Sequence, residues 1–179
     1  MVHVQKWSHR DLPTALQWQA VSFIRRQWPS IDGGLIREAY PSALEPTYYT
    51  VSDSGELLLS MAATFEAPLS AAGELWGAVC LGNVFTFPAA RRRGLGRLVV
   101  EAATRDIRAS QADVGALLCD ATLQAFYQSQ GWEPVPSSQT ITTSGEVLDP
   151  LRMMIFTSEK ACSARQQMIT TPCYVASPW

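Results

Sequence analysis

The chain has 179 residues, with 14 basic against 16 acidic side chains and a net charge of −2. Hydrophobic residues make up 47% and charged residues 17%, which excludes a disordered, highly charged chain. The near-neutral balance also argues against a nucleic-acid surface, which needs a broad basic footprint. The length suits one well-buried core and one domain, read here as residues 1–158 followed by a tail at 159–179.

In chain order, Asp11 is placed to cap a helix with Pro13 in its first turn. Leu12, Leu16, Ala20, Phe23 and Ile24 recur at helical spacing, and Trp28-Pro29 ends the pattern. Asp32-Gly33-Gly34 reads as a turn and residues 35–40 as a short second helix. Residues 47–51 and 57–65 read as strands joined by the turn Asp53-Ser54-Gly55. The apolar run 75–86 predicts a central strand. From Gly94 the period changes to helical, with Leu95, Leu98, Val99, Ala102, Ala103 and Ile107 on one face and Arg97, Glu101 and Arg105 on the other. Residues 114–119 read as a buried strand and 122–130 as a short helix closed by Gly131. Residues 132–135 and 152–157 read as partner strands, and 159–179 shows no helical period. Helix and strand alternation in the second half predicts crossover units; the hairpin-like first half predicts antiparallel pairing.

Cys80, Cys119, Cys162 and Cys173 form no C-x-x-C, and His3 and His9 are the only histidines, so no metal site is expected. Cys80 and Cys119 lie in apolar runs and read as small buried hydrophobes. The first six residues lack a signal-peptide pattern, and no apolar run spans a bilayer. A cytoplasmic protein with reduced thiols and no membrane partner is the expectation.

The richest segment runs from Val84-Phe85-Thr86 through Pro88 to Arg91-Arg92-Arg93-Gly94-Leu95-Gly96-Arg97. A strand ends, a short loop follows, and a helix opens at two spaced glycines. The first helical N–H groups lack intrahelical partners and carry partial positive charge. Glycines there let a ligand approach the backbone. The physical reading is a pyrophosphate cradle. It is neither the dinucleotide G-x-G-x-x-G fingerprint nor a P-loop, which ends in Lys-Ser/Thr.

Arg91-Arg92-Arg93-Gly94-Leu95-Gly96 resembles the Q/R-x-x-G-x-G/A motif of the GNAT superfamily of acyl-CoA N-acyltransferases. The segment Asn83-Val84-Phe85-Thr86-x-Pro88 resembles that family's central strand and loop. Leu117-Leu118-Cys119-Asp120, followed by Phe126-Tyr127-Gln128-Ser129-Gln130-Gly131-Trp132, is similar to its strand, short helix and YxxxGF/W segment. The resemblance is specific over residues 76–135 and looser before them. It implies a mixed α/β fold with a central, largely antiparallel sheet of six to seven strands, splayed between two parallel central strands and flanked by about four helices.

The resemblance further implies that acetyl-CoA lies in a V-shaped opening between the strands at 75–86 and 114–119. Backbone groups of Val84, Phe85 and Thr86 would bond the pantetheine arm. Arg91, Arg92, Arg93, Gly94, Leu95, Gly96 and Arg97 would hold the pyrophosphate, mainly through backbone amides. Direct attack by a primary amine needs a neutral amine, a donor to the oxyanion and an acid for the departing thiolate. Tyr127 matches the family's tyrosine and is the candidate acid, with Phe126 filling the core beside it. Asp120 stands where many members carry a cofactor-contacting asparagine; as an aspartate it also suits a helix cap. No general base stands out: Glu45, Glu66 and Glu74 qualify by acidity alone and read more readily as surface residues. Cys80, where the family's strand glutamate would fall, is not a plausible replacement, and a water chain past Asn83 would suffice. The acceptor side would include Trp28, Asp32, Glu38 and Tyr40 and the segment between Val135 and Arg152. Trp28 at a helix end reads more readily as a packing anchor, and Trp179 as part of a disordered or packing tail.

These expectations converge on an N-acetyltransferase of a small-molecule or peptide amine, with a homodimer as a possible assembly. An aminoglycoside acceptor is disfavoured, because a polycation calls for clustered acids and the acids here are scattered. The alternative is a non-catalytic acyl-CoA-binding sensor or partner-binding domain on the same fold.

Overall fold

The computed structural model describes residues 3–29, 36–54, 56–136 and 138–176. In chain order the elements are β1 (Gln5–Ser8), α1 (Thr14–Gln27), β2 (Thr47–Asp53), β3 (Leu57–Glu66), β4 (Leu69–Ala71), β5 (Glu74–Trp76) and β6 (Ala78–Thr86). Then come α2 (Leu95–Ala109), β7 (Val114–Cys119), α3 (Gln124–Gln128), β8 (Glu133–Pro134), β9 (Thr140–Thr142), β10 (Val147–Leu148), β11 (Leu151–Phe156), α4 (Glu159–Thr170) and β12 (Cys173–Val175). Seven strands form one mixed sheet in the order β1-β2-β3-β6-β7-β11-β8. The four helices and this sheet match the expected fold class. Two compact units share these elements: Met1–Phe65 with Asn83–Ala103, and Glu66–Gly82 with Thr104–Trp179.

In the first unit, β1–β2 and β2–β3 pair antiparallel, with an irregularity in β2 between Val51 and Ser52. Leu16, Ala20, Phe23 and Ile24 of α1 are buried, as their spacing predicts. Phe23 stacks on Phe85 with ring centroids 4.3 Å apart and meets Phe87 edge-on at 4.9 Å. Burying each such side chain contributes about 1.5–3 kcal/mol. Asp11 does not cap α1. Pro13 occupies the N-cap position, and Asp11 accepts a hydrogen bond from Ser8 Oγ at 2.5 Å within the preceding turn. No helix forms over residues 36–40; a short 3-10 turn follows at Ser42–Leu44. The turn expected at Asp32-Gly33-Gly34 and the tail position of Trp179 lie outside the described residues.

In the second unit, β6 pairs parallel with β7 from Ala78↔Val114 to Leu81↔Leu117, and there the ladder stops. β6 continues to Thr86 and β7 to Cys119. On its other side β7 pairs antiparallel with β11 along its full length. Trp132 is 2% exposed and donates from Nε1 to Thr104 Oγ1 at 3.0 Å, fastening the chain after α3 to the last turns of α2. The run 75–86 is two strands, because Gly77 turns the chain out. The Gly77 N–H donates to Asp113 Oδ2, and its carbonyl accepts from Asp113 and Val114. That break starts a second sheet, β10-β9-β12-β4-β5.

Residues 159–170, expected to lack helical structure, form α4. Ser158 accepts the Ala161 N–H, and Glu159 complements the dipole in the first turn. Ala161 and Met168 are the buried residues of this helix, too sparse to show a period.

Candidate cofactor site

In the first unit the chain leaves β6 at Thr86. Ser60, fully buried on β3, donates to the Phe85 carbonyl at 2.9 Å and lies 2.9 Å from Thr86 Oγ1. A hydroxyl has one proton, and a carbonyl only accepts, so Thr86 donates to Ser60. Thr86 Oγ1 then turns lone pairs toward the start of α2. The Gly96 backbone passes close there; a Cβ on it would come within 3.1 Å of that oxygen.

A 3-10 turn at Pro88–Ala90 reverses the chain, and Arg91 Nε donates to the Thr86 carbonyl at 3.1 Å. Arg92 at φ 61° and Gly94 at φ 76° both lie in the left-handed region. Placing Arg92 there costs about 1–2 kcal/mol, a local strain concentrated at the turn. Leu98 N–H donates to the Gly94 carbonyl at 3.1 Å, which opens the helical ladder and leaves the amides of Leu95, Gly96 and Arg97 ahead of it. These amides lie at the positive end of the helix dipole, the arrangement that suits an anion. The four arginines are not equivalent. Arg91 is tied to Thr86, and Arg97 forms the expected i, i+4 pair with Glu101 at 2.6 Å. Arg92 and Arg93 are exposed beside the turn.

In the second unit, β7 ends at Cys119. Asp120 Oδ1 accepts the Thr122 N–H at 2.8 Å and its hydroxyl at 2.6 Å, so Asp120 caps the following turn, as its position suggests. These bonds hold its carboxyl below the usual carboxylate range. Tyr127 on α3 is 5% exposed, and burial, aided by the nearby Cys119, pushes its phenol well above the ordinary range. Burial likewise pushes the Cys119 thiol up to about 11. Phe126 is only half-buried, so the core position belongs to Tyr127 rather than to its neighbour. A five-residue helix is too short for periodicity to assign that orientation.

The other acids sit as surface residues. Glu74 pairs with Lys160 at 2.8 Å, Glu45 with Arg10 at 3.4 Å, and Glu66 is exposed at the end of β3. Cys80 is fully buried, which raises its pKa. Trp28 packs edge-on against Phe23. Among the described residues no group of three or more His, Cys, Asp or Glu could hold a metal ion, and no helix is long and apolar enough to cross a membrane. Sequence reading missed Ser60, which lies 25 residues from the carbonyl it supports and carries no local signal.

Comparison with known proteins adds to this geometry. No curated protein sequence matches the chain. Escherichia coli ElaA superposes with a TM-score of 0.58 at 20% identity, covering 86% of this chain and 98% of that one. A GNAT family acetyltransferase from Brucella melitensis, solved in complex with acetyl-CoA, gives 0.60 at 19% identity, covering 88% and 89%. E. coli YhbS, a GNAT family N-acetyltransferase solved with CoA, gives 0.59 at 12% identity, covering 98% and 91%. At these identities the likeness establishes the fold. The family model for the GNAT acetyltransferase domain matches residues 3–135, well over half of the 179, and the chain belongs to that family.

Proposed function

We propose that the chain transfers an acetyl group from acetyl-CoA to a primary amine of a small molecule or peptide, by direct attack in a ternary complex. The observation that carries this reading is the opening of α2. Three amides ahead of the helical ladder, a left-handed turn and two exposed guanidiniums suit a pyrophosphate. The CoA and acetyl-CoA complexes of the structural neighbours support the same cosubstrate.

In this reading the amides from Arg92 to Arg97 hold the pyrophosphate, with Arg91, Arg92 and Arg93 lending charge. Backbone groups of Val84, Phe85 and Thr86 pair with the pantetheine arm, as a strand edge pairs with an extended partner. A strand N–H donates to the oxyanion as it forms. Tyr127 protonates the leaving thiolate; a phenol that holds its proton far above neutrality stays in the donor form. Asp120 is a candidate cofactor contact through Oδ2, since Oδ1 serves Thr122.

The test is a thermal shift with acetyl-CoA, followed by thiol release over a panel of amines. Saturating acetyl-CoA at a hundred times its Kd should stabilise the fold by about 2.7 kcal/mol. No shift would remove the cosubstrate. A shift without thiol release on any amine would favour the acyl-CoA sensor instead.

A further inference from the structure

The second sheet has one buried face and one open face, and all five of its strands lie in the second unit. Side chains alternate across a strand, so each strand contributes to both faces. On the inner face Leu69, Trp76, Cys173 and Thr140 are at most 2% exposed. Lys160 of α4 lies over the Trp76 ring, 4.3 Å from its centroid, and pairs with Glu74 at 2.8 Å, so α4 covers the inner face at the β5 edge.

The outer face carries one residue from each strand, and strand register sets all five in a single row. Val147 stands opposite Ile141, Ile141 opposite Tyr174, Tyr174 opposite Ser70, and Ser70 opposite Leu75. With strands about 4.8 Å apart, the row is roughly 19 Å long. Leu75, Tyr174 and Val147 are 69%, 46% and 48% exposed, and Ser70 and Ile141 are half-buried. A sheet with one face in water normally presents polar residues there. Here four of the five residues are apolar or aromatic and none is charged. Charge stands only at the margin, where the exposed Glu146 and Asp149 flank β10. A contiguous apolar patch with a polar rim marks a contact surface.

The row is suited to a copy of itself. A two-fold axis lying parallel to the sheet, along the row or along β12, returns the row onto itself. Tyr174, on the central strand, then meets Tyr174 of the second copy, and each apolar end meets an apolar end. That is the self-complementarity an isologous contact requires. The area agrees. The exposed parts of these side chains amount to roughly 300–350 Å² per copy, or roughly 600–700 Å² for a pair. Non-obligate interfaces are a little over half apolar, so this is the apolar share of an interface of about 1,200 Å², the lower end of the specific range.

We propose that the outer face of the second sheet is the contact between two copies of this chain, packed face to face about a two-fold axis at Tyr174, in a dimer that dissociates on dilution. The sequence leaves a homodimer possible without a surface for it; the row supplies one. The inference is independent of the acetyltransferase reading.

The test is sedimentation velocity of the full chain over a dilution series, beside Leu75→Arg, Tyr174→Arg and Val147→Arg. The wild type should run as a dimer at about 200 μM and increasingly as a monomer toward about 1 μM. Each substitution enters a two-fold interface twice and places like charges in an apolar contact, so each should raise the dimer Kd about tenfold or more. Trp18→Arg on α1, 54% exposed in the first unit, should leave the Kd unchanged. Far-UV circular dichroism and a thermal melt check that each variant is folded. If Tyr174→Arg fails to fold, Leu75→Arg and Val147→Arg on the two edge strands decide alone. A wild type that stays monomeric at about 200 μM would leave the face to another occupant and overturn the proposal. A dimer that survives the row substitutions with its Kd within twofold of wild type would place the contact elsewhere and overturn it as well.

Discussion

Gly115→Ala tests how tightly β7 is packed. Gly115 sits on the strand that leads to Asp120 and Tyr127, and a Cβ there would lie 2.8 Å from Ile107 Cγ2 and 3.3 Å from Trp132 Cη2. Carbon–carbon contacts settle near about 3.5–4.0 Å, so Ile107 must retreat by about 0.7–1.2 Å and Trp132 by about 0.2–0.7 Å. Neither yields easily. Ile107 is 1% exposed on α2, where a β-branched side chain has one preferred rotamer. Trp132 is held by its bond to Thr104. Overpacking of this kind costs about 1–3 kcal/mol. Removing a glycine from a strand returns roughly 0.5–1 kcal/mol. The net expectation is a loss of about 0.5–2 kcal/mol, or a fall in Tm of about 1–8 °C for a chain of this size. Urea and thermal unfolding of both proteins measure it. A Gly115→Ala protein as stable as the wild type would refute the argument that β7, α2 and Trp132 are packed to contact at this point.

Four further outcomes are expected. Gly94→Asp should abolish stabilisation by acetyl-CoA, because its side chain enters open space at the anion turn with the wrong charge, and φ 76° disfavours it; an unchanged shift would count against the cradle. Tyr127→Phe should slow acetylation about tenfold or more while leaving acetyl-CoA binding intact, read from thiol-release kinetics beside a binding isotherm. Arg152, 2% exposed on β11, donates to Ser138 Oγ, the Gln139 carbonyl and the Met168 carbonyl; Arg152→Ala should cost about 2–5 kcal/mol in urea unfolding, and Arg152→Met less, because it refills the volume. Stability should fall as pH rises from 9.0 toward about 11, since the Cys119 thiol ionises at the lower value when unfolded and near the upper one in the fold. Its neutral form is favoured by folding, so that stabilisation is complete below pH 9.0 and is lost on the way up; Cys119→Ala should flatten this part of a Tm-versus-pH curve.

Legibility in the sequence followed the length of each element. The apolar stripe of α2 and the glycines before it stood out because several helical turns repeat one pattern. Asp120 declared itself as a cap because the bond is local. The second sheet was illegible, since strands of two or three residues are shorter than any window in which alternation can be counted. α4 escaped because Ala161 and Met168 are too few to mark a face. At the candidate site, the anion turn was readable as a contiguous motif. The Ser60–Thr86 contact was not, because it joins residues far apart in the chain. The roles of Tyr127 and Phe126 depended on the rotation of one short helix, which only tertiary packing decides.

The position of β12 bears on when the protein can fold. This three-residue strand is the middle one of five, with β9 and β10 on one side and β4 and β5 on the other. Without it the sheet falls into two isolated hairpins, each marginal in water. Cys173 pairs with Ala71, roughly a hundred residues earlier, so closure of this sheet is a late, high-contact-order event. During synthesis the β4–β5 hairpin must wait, unpaired along one edge, until β12 has emerged. The second sheet therefore acts as a clasp that registers completion of the fold, and its closing step should set the slow phase of refolding.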